Sequence, residues 1–150
     1  MNKEIVINPK YTILDLDGCI ADDRWRRNRI DRLKTNMFER YKDYHLSSVD
    51  DKPANTELFL GVENLVIMTA RPLQYYSTTT RWMDKHGVPW SAMFMRGHAN
   101  TKSSVEVKRE FCTRMFTDLN LTAADIKVAY DDKPKVIEMY KELGINAVLK

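Results

Sequence analysis

Tyr11-Thr12-Ile13-Leu14-Asp15-Leu16-Asp17-Gly18 opens as a short apolar and β-branched run and then breaks into two carboxylates and a glycine. Such a run predicts a buried strand with polar residues gathered at its carboxyl end. Leu65-Val66-Ile67-Met68 has the same form and ends at Thr69. Ala92–Met95, Ile126–Tyr130 and Ile145–Leu149 predict the third to fifth strands. The intervals carry helical patterns. Pro72 is placed to open a helix with Leu73, Tyr76, Thr80 and Met83 on one face and Gly87 as its stop. Ser103-Ser104-Val105-Glu106 has the form of a capping box, followed by a stripe of Phe111, Cys112, Met115, Phe116 and Leu119. Pro134 opens another helix, with Val136, Ile137, Tyr140 and Leu143 facing inward and Gly144 as the stop. Strands alternating with helices predict right-handed crossovers, hence an α/β fold with a parallel sheet of about five strands covered on both faces.

The interval 19–62 is too long for a simple crossover, so it predicts an insertion. Ile30, Leu33, Met37, Phe38 and Tyr41 recur near helical spacing within it, predicting an amphipathic helix, and Asp50-Asp51-Lys52-Pro53 predicts the turn leading back to the body. At 150 residues the whole chain, 1–150, reads as a single domain, and a second catalytic domain is not expected to fit. The 43% hydrophobic and 30% charged fractions exclude disordered, collagenous and membrane classes. A net charge of +3 says little alone, but residues 24–42 hold eight Lys and Arg against two acids, which leaves the remainder of the chain at −3. That concentration predicts an anion-binding surface in the insertion, with a solvated helix face as the alternative. Trp25 among these arginines reads as core or cap packing, with base stacking as the alternative.

Two cysteines do not make a disulfide framework. Met1–Pro9 lack the apolar core of a signal peptide, and no run approaches the ~20 apolar residues that span a bilayer. A cytoplasmic location is expected. The five glycines, at 18, 61, 87, 97 and 144, supply no GxxxxGK loop, so nucleoside triphosphate binding by that route is excluded and any kinase partner is expected on a separate chain.

In open α/β sheets, ligands bind beyond the carboxyl ends of the strands. Asp15 and Asp17 follow the first strand, Thr69 and Arg71 the second, and Asp131 and Asp132 the fourth. Carboxylates converging there repel one another and suit a hard, oxygen-preferring cation such as Mg²⁺; without a His/Cys cluster at ligand spacing, zinc is not expected.

Asp15-Leu16-Asp17-Gly18 after a strand, Thr69 after the second, Lys108 in a helix and Asp131-Asp132 after the fourth strand resemble the four motifs of the haloacid dehalogenase (HAD) superfamily. Within it, Thr69-Ala70-Arg71-Pro72, Val105-Glu106-Val107-Lys108-Arg109-Glu110 and Tyr130-Asp131-Asp132 most resemble the 3′-phosphatase domain of bacteriophage polynucleotide kinase. The resemblance runs from about Tyr11 to the C-terminus. It implies a Rossmann-like three-layer fold with a small helical cap, and a location in the host cytoplasm if the chain is phage-encoded. It implies Asp15 as nucleophile, Asp17 as general acid and base, Thr69 and Lys108 as stabilisers of the phosphoryl group, and a Mg²⁺ site made from Asp15, the Asp17 carbonyl, Asp131 and Asp132. Gly18 and Ala70 are expected to line the phosphate, with Arg71 as the main specificity residue and Arg24 and Arg26 gathering a polyanion.

The expected activity is Mg²⁺-dependent phosphomonoester hydrolysis at nucleic-acid 3′ ends or on nucleotides, through an aspartyl-phosphate. Two alternatives stay open: a small-molecule (deoxy)nucleoside monophosphatase, and an inactive module that binds nucleic-acid ends. The chain departs from the pattern at Cys19, where the superfamily usually has Thr, and at Ser104, where the phage enzymes carry Asp.

Overall fold

The structure, a computed structural model, describes residues 10–150, so the opening stretch Met1–Pro9 read against a signal peptide lies outside the described residues. Five parallel strands make the central sheet: β1 (Tyr11–Leu14), β4 (Leu65–Pro72), β5 (Trp90–Arg96), β6 (Ile126–Asp131) and β7 (Ala147–Leu149). Their order is β5-β4-β1-β6-β7, and every pairing is parallel. The expected α/β architecture is thus observed. Register explains where the polar residues gather. Leu14 lies level with Ile67 on one neighbour and Tyr130 on the other, so the chain segments that follow all three strands emerge at one edge of the sheet.

Period-two alternation divides the core into two layers. Ile13, Val66 and Met68 face a cluster with Val107, Phe111 and Met115 of α4 (Ser104–Asp118) and Val136 and Tyr140 of α5 (Pro134–Glu142). Leu14 and Ile67 face the other way, toward Trp82 and Met83 of α3 (Tyr76–Lys85) and toward Ile20, Leu58 and Phe59 of the insertion. Both layers contain fully buried side chains, which is why the strands read as continuous apolar runs. The capping box is present: Ser103 Oγ accepts from the Glu106 amide and the Glu106 carboxylate accepts from the Ser103 amide. It fixes the start of the helix that carries Lys108.

The helix expected from Pro72 begins later. Pro72 ends β4 in an extended conformation, a 3₁₀ turn covers Leu73–Tyr75, and α3 starts at Tyr76. The turn shifts the helical phase, so Tyr75, Thr79, Trp82 and Met83 face inward while Leu73 and Tyr76 are exposed. Trp82 settles the choice of face, since its ring is fully buried and its Nε1 donates to the Asp51 carbonyl at 2.9 Å.

The insertion also differs from the single amphipathic helix expected. Arg24–Arg29 form a 3₁₀ helix, followed by two short helices, α1 (Met37–Arg40) and α2 (Lys42–Leu46), and a 3₁₀ turn at Ser47–Asp50. Leu33 is 94% exposed. Local polar side chains break the periodic pattern. Asp31 Oδ1 accepts from the Leu33 amide in an Asx turn, and Asn36 Oδ1 accepts from the Phe38 and Glu39 amides to start α1 afresh. The return passes through a two-residue ribbon in which β2 (Ala21–Asp22) pairs antiparallel with β3 (Lys52–Pro53).

Candidate active site

Asp15 sits one residue past β1, 6% exposed, with its amide bonded to the Tyr130 carbonyl. Lys108, one turn into α4 and 2% exposed, lays its ammonium between two carboxylates, 2.8 Å from Asp15 Oδ1 and 2.5 Å from Asp131 Oδ2. Burial pushes the Asp15 carboxyl well above the ordinary carboxylate range against the opposing pull of Lys108. Burial alone would lower Lys108, but Asp15 and Asp131 outweigh it and hold the ammonium firmly charged. Asp131 is itself fixed, its Oδ1 accepting from the Lys133 amide at 3.0 Å.

Asp132 joins this floor in a manner that Gly18 makes possible. Asp15, Asp131 and Asp132 present carboxylate oxygens within 4.8 Å of one another. Asp132 Oδ1 is buried without a hydrogen-bond partner. An all-oxygen donor set with an orphaned carboxylate oxygen fits a hard divalent cation. The Asp17 carboxylate is not part of this cluster. Gly18, with φ +77, contributes space: a Cβ there would overlap the Asp132 carboxylate. Its amide donates to the Ala21 carbonyl at 2.9 Å, a bond that closes the turn.

Asp17 is held by two buried arginines. Arg71 donates to it from Nε at 3.1 Å and Nη2 at 2.6 Å, and Arg26 from Nη2 at 2.5 Å. Burial would raise its carboxyl, yet Arg71 and then Arg26 outweigh that and keep it ionised well below the usual range. Both guanidiniums are thereby tied to Asp17, and Arg71 also lines the cavity. Arg71, 1% exposed, also donates to Thr79 Oγ1 at 3.1 Å. Arg26, fully buried, grips Asp51 from Nε at 2.8 Å and Nη2 at 2.7 Å and donates to the Tyr44 carbonyl at 2.9 Å. Arg71 and Arg26 therefore orient Asp17 within this network; Arg71, expected as the main specificity residue, does so from the cavity lining, whereas Arg26, expected to gather a polyanion, is fully buried.

The basic stretch is also less free than its count implies, because acids just outside it reach in. Arg24 pairs with Asp22 at 2.8 Å and Arg27 with Asp23 at 2.9 Å. Arg24 does not line the cavity, and Trp25 donates to Asp51 Oδ1 at 2.8 Å. The cavity itself encloses about 550 Å³ above Asp15, Asp17, Thr69, Ala70 and Lys108. Thr69 is 1% exposed and its Oγ1 accepts from the Arg71 amide at 3.2 Å. Besides Lys108, the cations that line the cavity are Arg27, Arg71, Arg96, Lys102 and Lys133. Arg96, at the end of β5, was reachable by the same strand-end argument that picked out Thr69. It donates to the Ala70 carbonyl of β4 and clasps the following loop through the Asn100 and Lys102 carbonyls. Ser104 Oγ accepts from Lys133 Nζ at 3.2 Å. Cys19 is buried, and burial pushes its thiol far above its ordinary value, leaving it unreactive.

Five parallel strands thus carry a carboxylate–lysine floor at their carboxyl edge. A chain in the structure of the Pnkp1/Rnl/Hen1 complex superposes with a TM-score of 0.71 at 18% identity, covering 95% of this chain and 46% of that one. A chain in the Pnkp1/Rnl/Hen1 RNA repair complex gives 0.69 at 18% identity, covering 99% and 47%. This chain thus spans about half the length of each. A hydrolase from Streptococcus pneumoniae gives 0.61 at 12% identity, covering 94% and 92%. The family model described as the polynucleotide kinase PNKP phosphatase domain matches residues 9–149, and the chain belongs to that family of HAD phosphatase domains. Among the described residues, no helix is long and apolar enough to cross a membrane.

Proposed function

We propose that the chain is a Mg²⁺-dependent phosphomonoesterase that removes the phosphate from nucleic-acid 3′ ends. The observation that carries this reading is the buried Lys108 ammonium 2.8 Å from Asp15, at the floor of a cavity whose walls are basic. Asp15, Asp131 and Asp132 are the residues that would hold Mg²⁺. When bound, Mg²⁺ supplies charge that offsets carboxylate repulsion and stabilises the phosphoryl group.

Lys108 attracts the phosphate and neutralises the charge that builds on its oxygens, while the Thr69 hydroxyl donates to one of them. An Asp15 oxygen attacks phosphorus in line, the bond to the leaving oxygen breaks, and an aspartyl-phosphate forms. Asp17, once it has taken up a proton from solvent, passes it to the leaving oxygen, which departs as the alcohol, and as a carboxylate it later takes a proton from the water that cleaves the aspartyl-phosphate. Its two arginines hold it in the basic form required for the second step. The first step requires their grip to loosen as the phosphate dianion enters. The insertion acts as the cap over this site.

The test is phosphate release from a 3′-phosphorylated oligonucleotide, its 5′-phosphorylated counterpart and free mononucleotides, with Mg²⁺ and with EDTA. Metal-dependent release from the 3′ end is expected. Exclusive turnover of mononucleotides would transfer the assignment to a nucleoside monophosphatase, and binding of phosphorylated ends without release under any condition would make the chain a binding module.

A further inference from the structure

The cavity has a wall that the phosphate chemistry leaves unused. Its lining also includes Ile30, Met37, Phe38 and Tyr41, from α1 and the chain on either side of it, all only partly buried. Phe38 lies in α1 and Tyr41 is the residue that caps its C-terminus, and both line the cavity. Their presentation is fixed locally. Asn36 caps α1 through the Phe38 and Glu39 amides. The Tyr41 ring packs edge-on against buried Tyr44, centroids 5.9 Å apart, and Tyr44 in turn packs against His45 at 5.0 Å. Arg26 lies over the Tyr44 ring at 4.2 Å, so the network that orients Asp17 also holds this aromatic cluster. Phe38, by contrast, meets no aromatic ring among the described residues.

Resting on the phosphatase reading above, we infer that Phe38 and Tyr41 form a stacking platform for the nucleobase of the nucleotide whose phosphate lies at Asp15. The cavity offers three chemistries in one enclosure: a floor for a phosphate dianion, cationic and polar walls, and an aromatic roof. A nucleotide presents the matching series of phosphate, hydroxylated sugar and flat π-system. A sugar phosphate or an aliphatic phosphate would leave the roof facing water. The volume of about 550 Å³ falls within the roughly 300–1,000 Å³ typical of sites that enclose a single small molecule. It therefore suits one terminal nucleotide, with any preceding strand outside. Stacking on a ring face tolerates every base, so the platform confers a demand for a base without a demand for sequence.

The experiment compares two 3′-phosphorylated oligonucleotides that differ only at the last residue, thymine in one and an abasic analogue in the other. For the wild type, kcat/KM is expected to favour the thymine strand. In Phe38→Leu, which keeps apolar bulk but removes the ring, and in Tyr41→Ala, that preference is expected to shrink about 5- to 150-fold, chiefly through KM. Tyr41→Phe, which retains the ring, is expected to preserve it. Equal losses on both strands would mean that the roof only shapes the cap, and an unchanged preference would mean that the base lies elsewhere; either result overturns the platform. Should the wild type release phosphate from neither strand, the phosphatase reading fails. Calorimetric binding of the two strands to the same variants then decides the platform by the same comparison.

Discussion

Asp132 lies directly against the bare α-carbon of Gly18, at the point where a side chain on residue 18 would occupy the space of the Asp132 carboxylate. Gly18→Ala therefore incurs two penalties. The φ of +77 costs about 1–2 kcal/mol for a residue with a Cβ, and Asp132 must leave the position where its Oδ1 is orphaned. The expected outcome is a lowered Tm together with a Mg²⁺ requirement for phosphate release shifted to higher concentration. Thermal melts and a Mg²⁺ titration of turnover check it; a wild-type metal response would detach Asp132 from cation binding.

Asp15→Asn is expected to reduce turnover to background with the fold intact, since the amide cannot attack phosphorus. Asp17→Asn separates the two roles proposed for that residue. With a 3′-phosphorylated oligonucleotide, whose leaving alkoxide needs a proton, the loss is expected to be about 10²–10⁴-fold. With p-nitrophenyl phosphate, whose leaving group needs none, aspartyl-phosphate formation is expected to suffer far less, and a burst of nitrophenol followed by slow turnover is the signature. Uniform loss on both substrates would count against proton transfer by Asp17.

Arginines close together in the sequence should behave differently in stability measurements. Arg26→Met leaves Asp51, which is 2% exposed, facing the interior without its main partner. Removing one member of a buried ion pair costs roughly 3–5 kcal/mol. Arg24→Ala breaks only a solvent-exposed contact with Asp22, and a change within about 0.5 kcal/mol is expected. Urea midpoints for the two variants test the contrast. A double-mutant cycle with Asp51→Asn should show strong coupling to Arg26 and none to Arg24.

His45 gives the fold a weakness toward acid. It is 8% exposed, its Nδ1 has no hydrogen-bond partner, and burial lowers its pKa to about 3. The unfolded chain binds the proton more readily, with an ordinary value near ~6.5. Stability from this residue is fully present above about pH 6.5 and is lost as the pH falls from there toward 3, at about 1.4 kcal/mol per unit. His45→Phe keeps a ring against Tyr75, 4.9 Å away, and removes the titration. Between pH 6.5 and pH 5 the wild type is expected to lose about 2 kcal/mol more than this variant, measured by denaturant unfolding.

The sheet and the convergence at its edge were legible in the sequence because both follow from local pattern and a topological rule. Leu14 and Ile67 sit in uninterrupted apolar runs, and parallel register then carries Asp15, Thr69 and Asp131 to the same edge. Ser103 and Glu106 were legible for a similar reason, since a capping box involves residues three apart. The insertion was not. Its periodic Ile30, Leu33 and Met37 are overruled by hydrogen bonds from Asp31 and Asn36. The partners of Arg26 lie far along the chain, at Tyr44 and Asp51, and counting charge by window hid Asp22 and Asp23, which lie just outside the window and pair with Arg24 and Arg27. Nothing in the order of residues marks Asp51 apart from the other acids. Only the tertiary structure shows that its carboxylate meets Arg26 and Trp25 while its carbonyl meets Trp82.

The short ribbon at the base of the insertion bears on how the lineage can vary. Ala21 against Pro53 and Asp22 against Lys52 bring both ends of the inserted segment together. The anchored parts lie near those ends, through Arg26 on one side and Asp51 on the other. Residues 31–36, between them, are exposed throughout. Closing a loop becomes only about 0.6 kcal/mol harder with each doubling of its length. Additions and deletions at 31–36 can therefore accumulate over evolutionary time without displacing Asp15, which leaves the reach of the roof free to drift while the chemistry beneath it stays the same.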